Sequence, residues 1–266
     1  MVSDTELLRR QYEEIAKSGD KNTTACDFNL RELEIELALQ YMRDGDRILD
    51  VGCGPGVAVC AYAGERNLSA HGIDYAENMV DFARRRTAEL APDLDICLQQ
   101  ANALELPYED GFFDVVTSSR CLMALLDWEL QQRALLEIHR VLKPNGRLVL
   151  MEGTFDGLER LNEYRRRFGL SLIEADGRDR LFTRKFREQE LLEFCEPYYA
   201  LERTQRFGMY YFLTRIVQPL LVAPESPRYD HPLNSVARQI ARLVPDFDGI
   251  GHLVGFVLRK RSHRPA

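Results

Sequence analysis

Short apolar runs alternate with segments of helical periodicity from about residue 31 to residue 153, and this alternation constrains the fold most strongly. Runs such as RILDVG and GRLVLME are typical of buried strands, whereas RELEIELALQYM and ENMVDFARRRTAEL place apolar residues on one face of a helix. Strands and helices that alternate in this way form parallel sheets with right-handed crossovers and helices on both faces. The sequence therefore predicts a doubly wound α/β fold.

The length of 266 residues fits one core domain with additions. The predicted helices of the alternating region lie at 31–42, 57–66, 77–90 and 127–142, and its strands at 47–52, 69–74, 95–100, 112–119 and 146–152.

A glycine-rich turn, GCGPG, follows the first of these strands, and ligands of such sheets bind beyond the carboxyl ends of the strands. Gly52, Gly54 and Gly56 are spaced G-x-G-x-G. Because Val57 stands where a dinucleotide site needs its third glycine, the spacing disfavours NAD. Asp74 ends the second strand, 22 residues after Gly52, where a carboxylate can accept hydrogen bonds from both hydroxyls of a ribose. A nucleoside ligand is therefore predicted.

Charge and cysteine content narrow the class of partner. The 35 basic and 42 acidic residues give a net charge of -7, which disfavours nucleic acid as the main partner. The six cysteines form no C-x-x-C pair, so the sequence predicts neither a metal site nor a disulfide framework. The N-terminal stretch is acidic where a signal peptide is basic, and no apolar run has the length of a membrane span. We expect a soluble, cytoplasmic protein without a membrane partner, and the sequence is compatible with a homodimer without defining the oligomeric state.

Four motifs, spread over residues 47–152, resemble those of the class I S-adenosylmethionine-dependent methyltransferases. They are ILDVGCGPG, GIDYAENMVDFAR, ANALELPYEDGFFDVVTSS and LLEIHRVLKPNGRLVLME, in the order that the family has. The resemblance is to the small-molecule group, which includes ubiquinone-type and sugar or antibiotic methyltransferases. It implies methyl transfer with S-adenosyl-L-methionine as the cofactor.

The resemblance also implies a Rossmann-like sheet of seven strands, the last antiparallel, with helical cap insertions. It places the sixth and seventh strands at YALERTQRFGMYYF and HLVGFVLRK. We divide the chain accordingly into an N-terminal lid and first helix (1–46), a cofactor-binding core (47–153), and a region with the remaining strands and substrate-capping insertions (154–266).

The resemblance assigns the methionine part of the cofactor to the three glycines of the turn, where a side chain would clash. Asp74 would bind the ribose, and Tyr75 with Met79 would offer apolar surface to the adenine. On the lid, Arg31 would pair with the cofactor carboxylate in a bidentate geometry, and the alternative is a solvated arginine in the first turn of a helix. Tyr12 is a further lid candidate.

The next motif supplies the remaining cofactor residues. Asn102 and Ala103 fall at the adenine edge, where the family often has an acidic and a small residue, and an asparagine amide can both donate and accept there. Ser118, at the end of the fourth strand, would lie under the sulfonium. Ser119 and Arg120 would then face the methyl acceptor.

Two insertions, residues 154–195 and 212–248, follow strands whose carboxyl ends should face the donor methyl, so we expect them to roof the pocket. Most of their arginines are expected on solvated helix faces. A few could hold a carboxylate or phosphate, which favours a polar acceptor over an apolar quinone. Arg166, Arg215 and Asn234 are the candidate acceptor-binding residues.

Methyl transfer from a sulfonium needs alignment and exclusion of water, and a base is needed only if the acceptor loses a proton. For a hydroxyl acceptor the candidate bases are His231 and Glu152, with Tyr210 and Tyr211 as positioning groups. The alternative role of His231 is to cap a loop. An amine acceptor needs no strong base.

Three interpretations follow from the sequence. The first is methyl transfer to a hydroxyl or amine of a small polar metabolite, such as a sugar or specialised metabolite. The second is transfer to a carbon atom of a quinone or lipid precursor. The third is a non-catalytic protein that binds the cofactor.

Overall fold

The computed structural model describes residues 4–17, 26–174, 183–244 and 246–262. Its strands are β1 (Arg47–Val51), β2 (Ser69–Asp74), β3 (Ile96–Gln100), β4 (Phe113–Ser119), β5 (Leu142–Gly153), β6 (Tyr199–Gln205) and β7 (Leu253–Lys260). Its helices are α1 (Asp4–Lys17), α2 (Phe28–Leu39), α3 (Val57–Glu65), α4 (Glu77–Leu90), α5 (Trp128–Val141), α6 (Phe155–Arg167), α7 (Glu188–Cys195), α8 (Gly208–Phe212), α9 (Gln218–Val222) and α10 (Pro232–Leu243).

The strands form one seven-stranded sheet in the order β3-β2-β1-β4-β5-β7-β6. β7 is antiparallel to both of its neighbours, β5 and β6, and the pairs among β1 to β5 are parallel. Apolar clusters cover both faces of the sheet. The predicted Rossmann-like α/β fold with an antiparallel last strand is therefore confirmed.

Strand order reverses between β1 and β4, which are adjacent in the sheet although β2 and β3 separate them in the chain. Val51 at the end of β1 pairs with Ile73 of β2 and with Ser118 of β4. The segments that follow these three strands therefore meet at one edge of the sheet, which is where doubly wound folds bind their ligands.

The sixth strand is shorter than the sequence pattern predicts. It ends at Gln205, and the residues GMYYF form helix α8. Phe207 has a left-handed backbone conformation with φ of 54°, which interrupts the extended run before the helix begins. The seventh strand and the elements of residues 47–153 form where the sequence pattern predicts them, within a few residues at their ends.

Helix α2 is buried on almost all of its surface, unlike an ordinary amphipathic surface helix. One side faces the sheet edge, and helix α10 packs against another side. The second insertion is fixed to α2 by polar contacts, including an ion pair between Arg242 and Glu36. None of the described helices is both long and apolar enough to cross a membrane.

Candidate functional site

A cavity lies at the edge of the sheet where β1, β2 and β4 end. Its floor consists of the glycine turn after β1, the end of β2, residues 101–103 and the residues after β4. Helices α1 and α2 contribute residues to the lining, and no described residue of the two insertions does so. The insertions were expected to roof this site. The second one instead packs against α2, and residues 175–182 of the first lie outside the described part.

Two of the three glycines of the turn line the cavity, Gly52 and Gly54. Both have positive φ, and a Cβ on Gly52 would lie 2.4 Å from the sulfur of Cys121. Gly56 lies outside the lining. It precedes α3 in a left-handed conformation, and its missing side chain lets α3 approach Ala83 of α4, so its role is in helix packing.

Asp74 lines the cavity and also holds the glycine turn in place. Its two carboxylate oxygens accept hydrogen bonds from the backbone N–H groups of Gly54 and Ala76, each at 3.0 Å. Burial raises the pKa of Asp74, and these backbone donors oppose the rise. A carboxylate oxygen can accept more than one hydrogen bond, so hydroxyl groups of a ligand can still bind here.

Tyr75, Asn102 and Ala103 line the same end of the cavity. The ring of Tyr75 is 37% exposed, so it is available to pack against a flat ligand. Met79 is not part of the lining. Its side chain is buried in a small cluster with Ala16, Ala76 and Tyr12, so it lies behind residues that line the cavity and does not reach the cavity itself.

Asp50 lies below the turn at the end of β1 and reaches the cavity. Its carboxylate accepts a hydrogen bond of 2.7 Å from the Thr117 hydroxyl. Burial raises the pKa of Asp50 to about 6, and the Thr117 hydrogen bond opposes that rise. Tyr62 of α3 completes this wall of the cavity.

Four polar residues gather where α2 crosses the end of β4: Arg31, Glu34, Ser119 and Arg120. Glu34 is only 2% exposed, and its Oε2 lies 2.5 Å from Nη2 of Arg120. Burial raises the pKa of Glu34 to about 6, although the nearby Arg120 guanidinium lowers it. Burial lowers the pKa of Arg31, and the Arg120 charge lowers it further. Arg31, predicted on the lid, and Ser119 and Arg120, predicted to face the acceptor, all line the cavity.

Glu34 is not among the residues that the sequence motifs predict for the site. The available signal was its position between Leu33 and Ile35, in a helix whose apolar residues surround it, three residues after Arg31. A charged residue inside such a run is unusual, because buried carboxylates require partners. Arg9 of α1 also lines the cavity, beside Tyr12, and no sequence pattern predicted it there. Burial raises the pKa of Tyr12 to about 12.

Ser118 and Glu152 lie one layer below the cavity, outside its lining. Ser118 points toward the neighbouring strand, where its hydroxyl donates to Oε1 of Glu152 at 3.3 Å, so the next residue, Ser119, is the one that reaches the cavity. The Glu152 carboxylate also accepts the backbone N–H groups of residues 121, 122 and 123, at 2.9 to 3.1 Å. Burial raises the pKa of Glu152 to about 7, against the effect of these donors. Its contacts stabilise the turn after β4.

Tyr210, Tyr211 and Arg215 lie behind α2, outside the cavity lining. Asp27 caps the N-terminus of α2. Its carboxylate accepts a hydrogen bond from the Tyr210 hydroxyl at 2.5 Å and forms an ion pair with Arg215 at 2.5 Å. The Tyr211 hydroxyl accepts the N–H of Leu253 at 3.2 Å. Tyr210 of α8 and Arg215 of the second insertion thus anchor the N-terminus of α2, and Tyr211 binds the start of β7.

The remaining candidates lie farther from the cavity. Nδ1 of His231 accepts the N–H of Leu233 at 3.2 Å and so caps the N-terminus of α10, which is the alternative role stated above. Asn234 is buried in that helix, where its amide donates to the carbonyls of Arg228 and Tyr229. Arg166 lies exposed on α6. The structure therefore separates these three residues from the cofactor candidates.

No three His, Cys, Asp or Glu side chains are grouped as metal ligands within residues 4–17, 26–174, 183–244 and 246–262. The cavity thus presents a glycine turn, the Asp74 carboxylate, the aromatic ring of Tyr75 and a buried ion pair between Glu34 and Arg120.

Comparisons with known proteins agree with this arrangement. Residues 49–150 match the family model of a methyltransferase domain. A demethylmenaquinone methyltransferase from Staphylococcus aureus is 32% identical over 155 residues, which are 56% of this chain and 61% of that protein. The chain thus spans about three fifths of that relative's length.

Solved structures share the fold at lower sequence identity. A chain from the complex of the Haloferax volcanii Trm112 methyltransferase activator with a methyltransferase has a TM-score of 0.66 at 18% identity, and the match covers 95% of this chain and 98% of that one. A SAM-dependent methyltransferase from Methanosarcina mazei has a TM-score of 0.56 at 19% identity, with 84% of this chain and 96% of that one covered.

Proposed function

We propose that this chain, whose residues 49–150 match the family model of a methyltransferase domain, is a class I S-adenosylmethionine-dependent methyltransferase that transfers a methyl group from S-adenosylmethionine to a small molecule. The acceptor atom is a hydroxyl oxygen or an amine nitrogen of a polar metabolite. The observation that carries this proposal is a single cavity in which the candidate donor-binding residues adjoin a buried polar group, formed by Arg31, Glu34, Ser119 and Arg120.

The residues of the cavity fit the donor chemically. The Gly52–Gly54 backbone offers a surface without side chains to the methionine part, and Asp74 offers acceptor oxygens to the ribose hydroxyls. Tyr75 and Asn102 lie beside Asp74, where one provides an aromatic surface and the other an amide for the adenine edge. When bound, S-adenosylmethionine supplies an electrophilic methyl group.

Arg31 is the residue proposed to bind the donor's carboxylate. It lies on α2, lines the cavity and is 8% exposed, and burial lowers the pKa of its guanidinium. A guanidinium in such a site gains more from a carboxylate partner than a solvated one does, because water competes less for it.

The lining also favours alignment and exclusion of water, which supply most of the rate of a bimolecular transfer. Tyr12 from α1 and Ile35 from α2 contribute to the walls around the polar group. A nucleophile held there would be shielded from solvent and fixed toward the turn after β1.

A second candidate is transfer to a carbon atom of a quinone precursor. The curated relative that is 32% identical is a demethylmenaquinone methyltransferase, and its aligned region covers 56% of this chain. The apolar residues of the lining include Ile35, Leu125 and Met151, and they can accommodate the aromatic ring of a quinone precursor.

Donor binding is tested by isothermal titration with S-adenosylhomocysteine, the product of the donor. Asp74→Ala is expected to weaken binding about 10- to 100-fold, because two charge-assisted hydrogen bonds to the ribose are lost. Asp81→Ala is the matched control, since Asp81 is 49% exposed on α4 and pairs with Arg84. Unchanged affinity in Asp74→Ala would remove Asp74 from the site, and no binding by the native protein would contradict the proposed function.

The acceptor class is tested by transfer of a labelled methyl group from S-adenosylmethionine to a panel of hydroxyl, amine and naphthoquinol compounds. Mass spectrometry with NMR of the product identifies the methylated atom. A product with a new methyl ether or N-methyl group supports the first candidate, and a new C-methyl group on the quinol ring supports the second.

A further inference from the structure

Glu34 is a buried carboxylate that reaches the cavity from α2, and nothing in the donor site uses it. It is 2% exposed and lies within an apolar part of the helix, between Leu33 and Ile35. Burial of a carboxylate in such surroundings is costly, so a helix that needed only packing would have an apolar residue here. This cost indicates a role toward a bound molecule.

The Glu34 carboxylate has one oxygen engaged and one available. Oε2 lies 2.5 Å from Nη2 of Arg120, which follows β4 in a left-handed conformation with φ of 54°. Oε1 of Glu34 and Oγ of Ser119 are both buried without a hydrogen-bond partner of good geometry among the described residues, although Ser119 is near enough to lower the pKa of Glu34. Buried polar atoms in proteins are almost always paired, so this pair of atoms points to a polar ligand.

We propose that Oε1 of Glu34 binds a hydroxyl group of the methyl acceptor and takes its proton during transfer. This inference rests on the proposed function and narrows it to an acceptor with a hydroxyl group. A lone pair of the acceptor oxygen forms the new bond to the methyl carbon, and the electron pair of the C–S bond stays on sulfur. The proton moves to Glu34, and the O–H electron pair remains on oxygen.

Other titratable groups near this edge are less suited to the task. All donors around Glu152 are backbone N–H groups or Ser118, and Glu152 lies below the cavity. Asp50 already accepts the Thr117 hydroxyl, and His231 caps a distant helix. Of these groups, Glu34 is the one that lies in the lining and has a buried carboxylate oxygen without a hydrogen-bond partner of good geometry among the described residues.

The charges around Glu34 come from several elements. Arg31 and Asp27 belong to α2 and its N-cap, and Arg120 with Ser119 belongs to the segment that ends β4. Tyr62 of α3 and Tyr211 of α8 also interact with the Glu34 charge. Burial is the largest influence and raises the pKa of Glu34 to about 6, so the carboxylate form, which is the stronger acceptor and the base, prevails only above that pH.

The test compares two small probes, 4-fluorophenol and 4-fluoroanisole, which share a ring and differ in the O–H group. Binding to the full chain saturated with S-adenosylhomocysteine is followed by fluorine NMR from pH 5 to pH 8. The native protein is expected to bind 4-fluorophenol about tenfold more tightly than 4-fluoroanisole at pH 7.5, because a hydrogen bond to a carboxylate is worth about that factor. This preference should fall as the pH drops below about 6, when Glu34 gains a proton.

Glu34→Gln should reduce the preference for 4-fluorophenol and make it independent of pH, because the amide has no charge to gain or lose. Glu36→Gln is the control on the same helix, since Glu36 is paired with Arg242 outside the cavity, and it should behave as the native protein does. Unchanged affinity of Glu34→Gln for S-adenosylhomocysteine verifies that the variant is folded.

Equal affinities for the two probes in the native protein, failure to bind either, or an unaltered preference in Glu34→Gln would overturn the role of Glu34 and leave donor binding intact. Failure of the native protein to bind S-adenosylhomocysteine would instead overturn the proposed function, so the two failures are distinguishable.

Discussion

Two helical regions flank the carboxyl edge of the sheet, and only one of them reaches the cavity. The region before β1, helices α1 and α2, contributes Tyr12, Arg31 and Glu34 to the lining. The region after β5, helices α6 to α10, contributes none of its described residues to the lining, and its last helix, α10, packs against α2. Position after a strand therefore does not by itself place an insertion over the ligand, because another helix can occupy that space first.

Glu34 and Glu152 differ in the same way, since Glu34 lines the cavity and Glu152 does not. Both are buried carboxylates near this edge, and burial raises their pKa values to about 6 and about 7. Three backbone N–H groups and Ser118 donate to Glu152, which leaves it a structural part of the turn after β4. Glu34 is part of the cavity lining, and its Oε1 is buried without a donor of good geometry among the described residues. The number of internal donors thus separates a structural acid from one that can serve a ligand.

The largest effect on stability is expected from Glu152→Ala. Loss of the carboxylate leaves backbone N–H groups of residues 121, 122 and 123 without an acceptor, which should lower the free energy of unfolding by about 3 to 5 kcal/mol. Chemical denaturation measures this change. Glu159→Ala is the control, because Glu159 is 63% exposed and should change stability by about 0.5 kcal/mol or less. A loss below about 1 kcal/mol in Glu152→Ala would contradict the structural role.

A smaller effect is expected from Tyr210→Phe, which removes a buried hydroxyl that donates to Asp27 at 2.5 Å. The free energy of unfolding should fall by about 1.5 to 3 kcal/mol, because the lost bond goes to a carboxylate. Thermal unfolding with S-adenosylhomocysteine titration separates stability from donor affinity. If Tyr210→Phe left stability unchanged, the attachment of α2 to the second insertion would depend on Arg215 rather than on this hydroxyl.

The smallest effect is expected from His231→Ala. Because Nδ1 of His231 caps α10 far from the cavity lining, the variant should lose about 0.5 to 1 kcal/mol of stability and keep its methyl-transfer rate. The rate is measured with whichever acceptor the labelled-methyl panel identifies. A large loss of activity with normal stability would restore His231 as the base and would place the second insertion at the site after all.

The sheet and the donor side of the cavity could be predicted from residues that are close together in the chain. Apolar runs of strand length and the helices between them define β1 to β5, and the glycine turn with Asp74 lies at the strand ends that such a topology brings together. Single residues within motifs were less predictable. Alternation along β4 turns the Ser118 side chain away from the cavity, and Met79 is buried behind the lining residues Tyr12 and Ala76.

The sequence by itself determined the doubly wound sheet, its parallel core and the position of the glycine turn, because these depend on local periodicity and on the short connections that parallel strands allow. Only the tertiary structure decided which helix covers the cavity. The ion pair of Glu34 with Arg120 joins residues 86 positions apart in the chain. The hydrogen bond from Tyr210 to Asp27 joins residues 183 positions apart. Such contacts depend on how helices dock onto the finished sheet, and no local pattern records that docking.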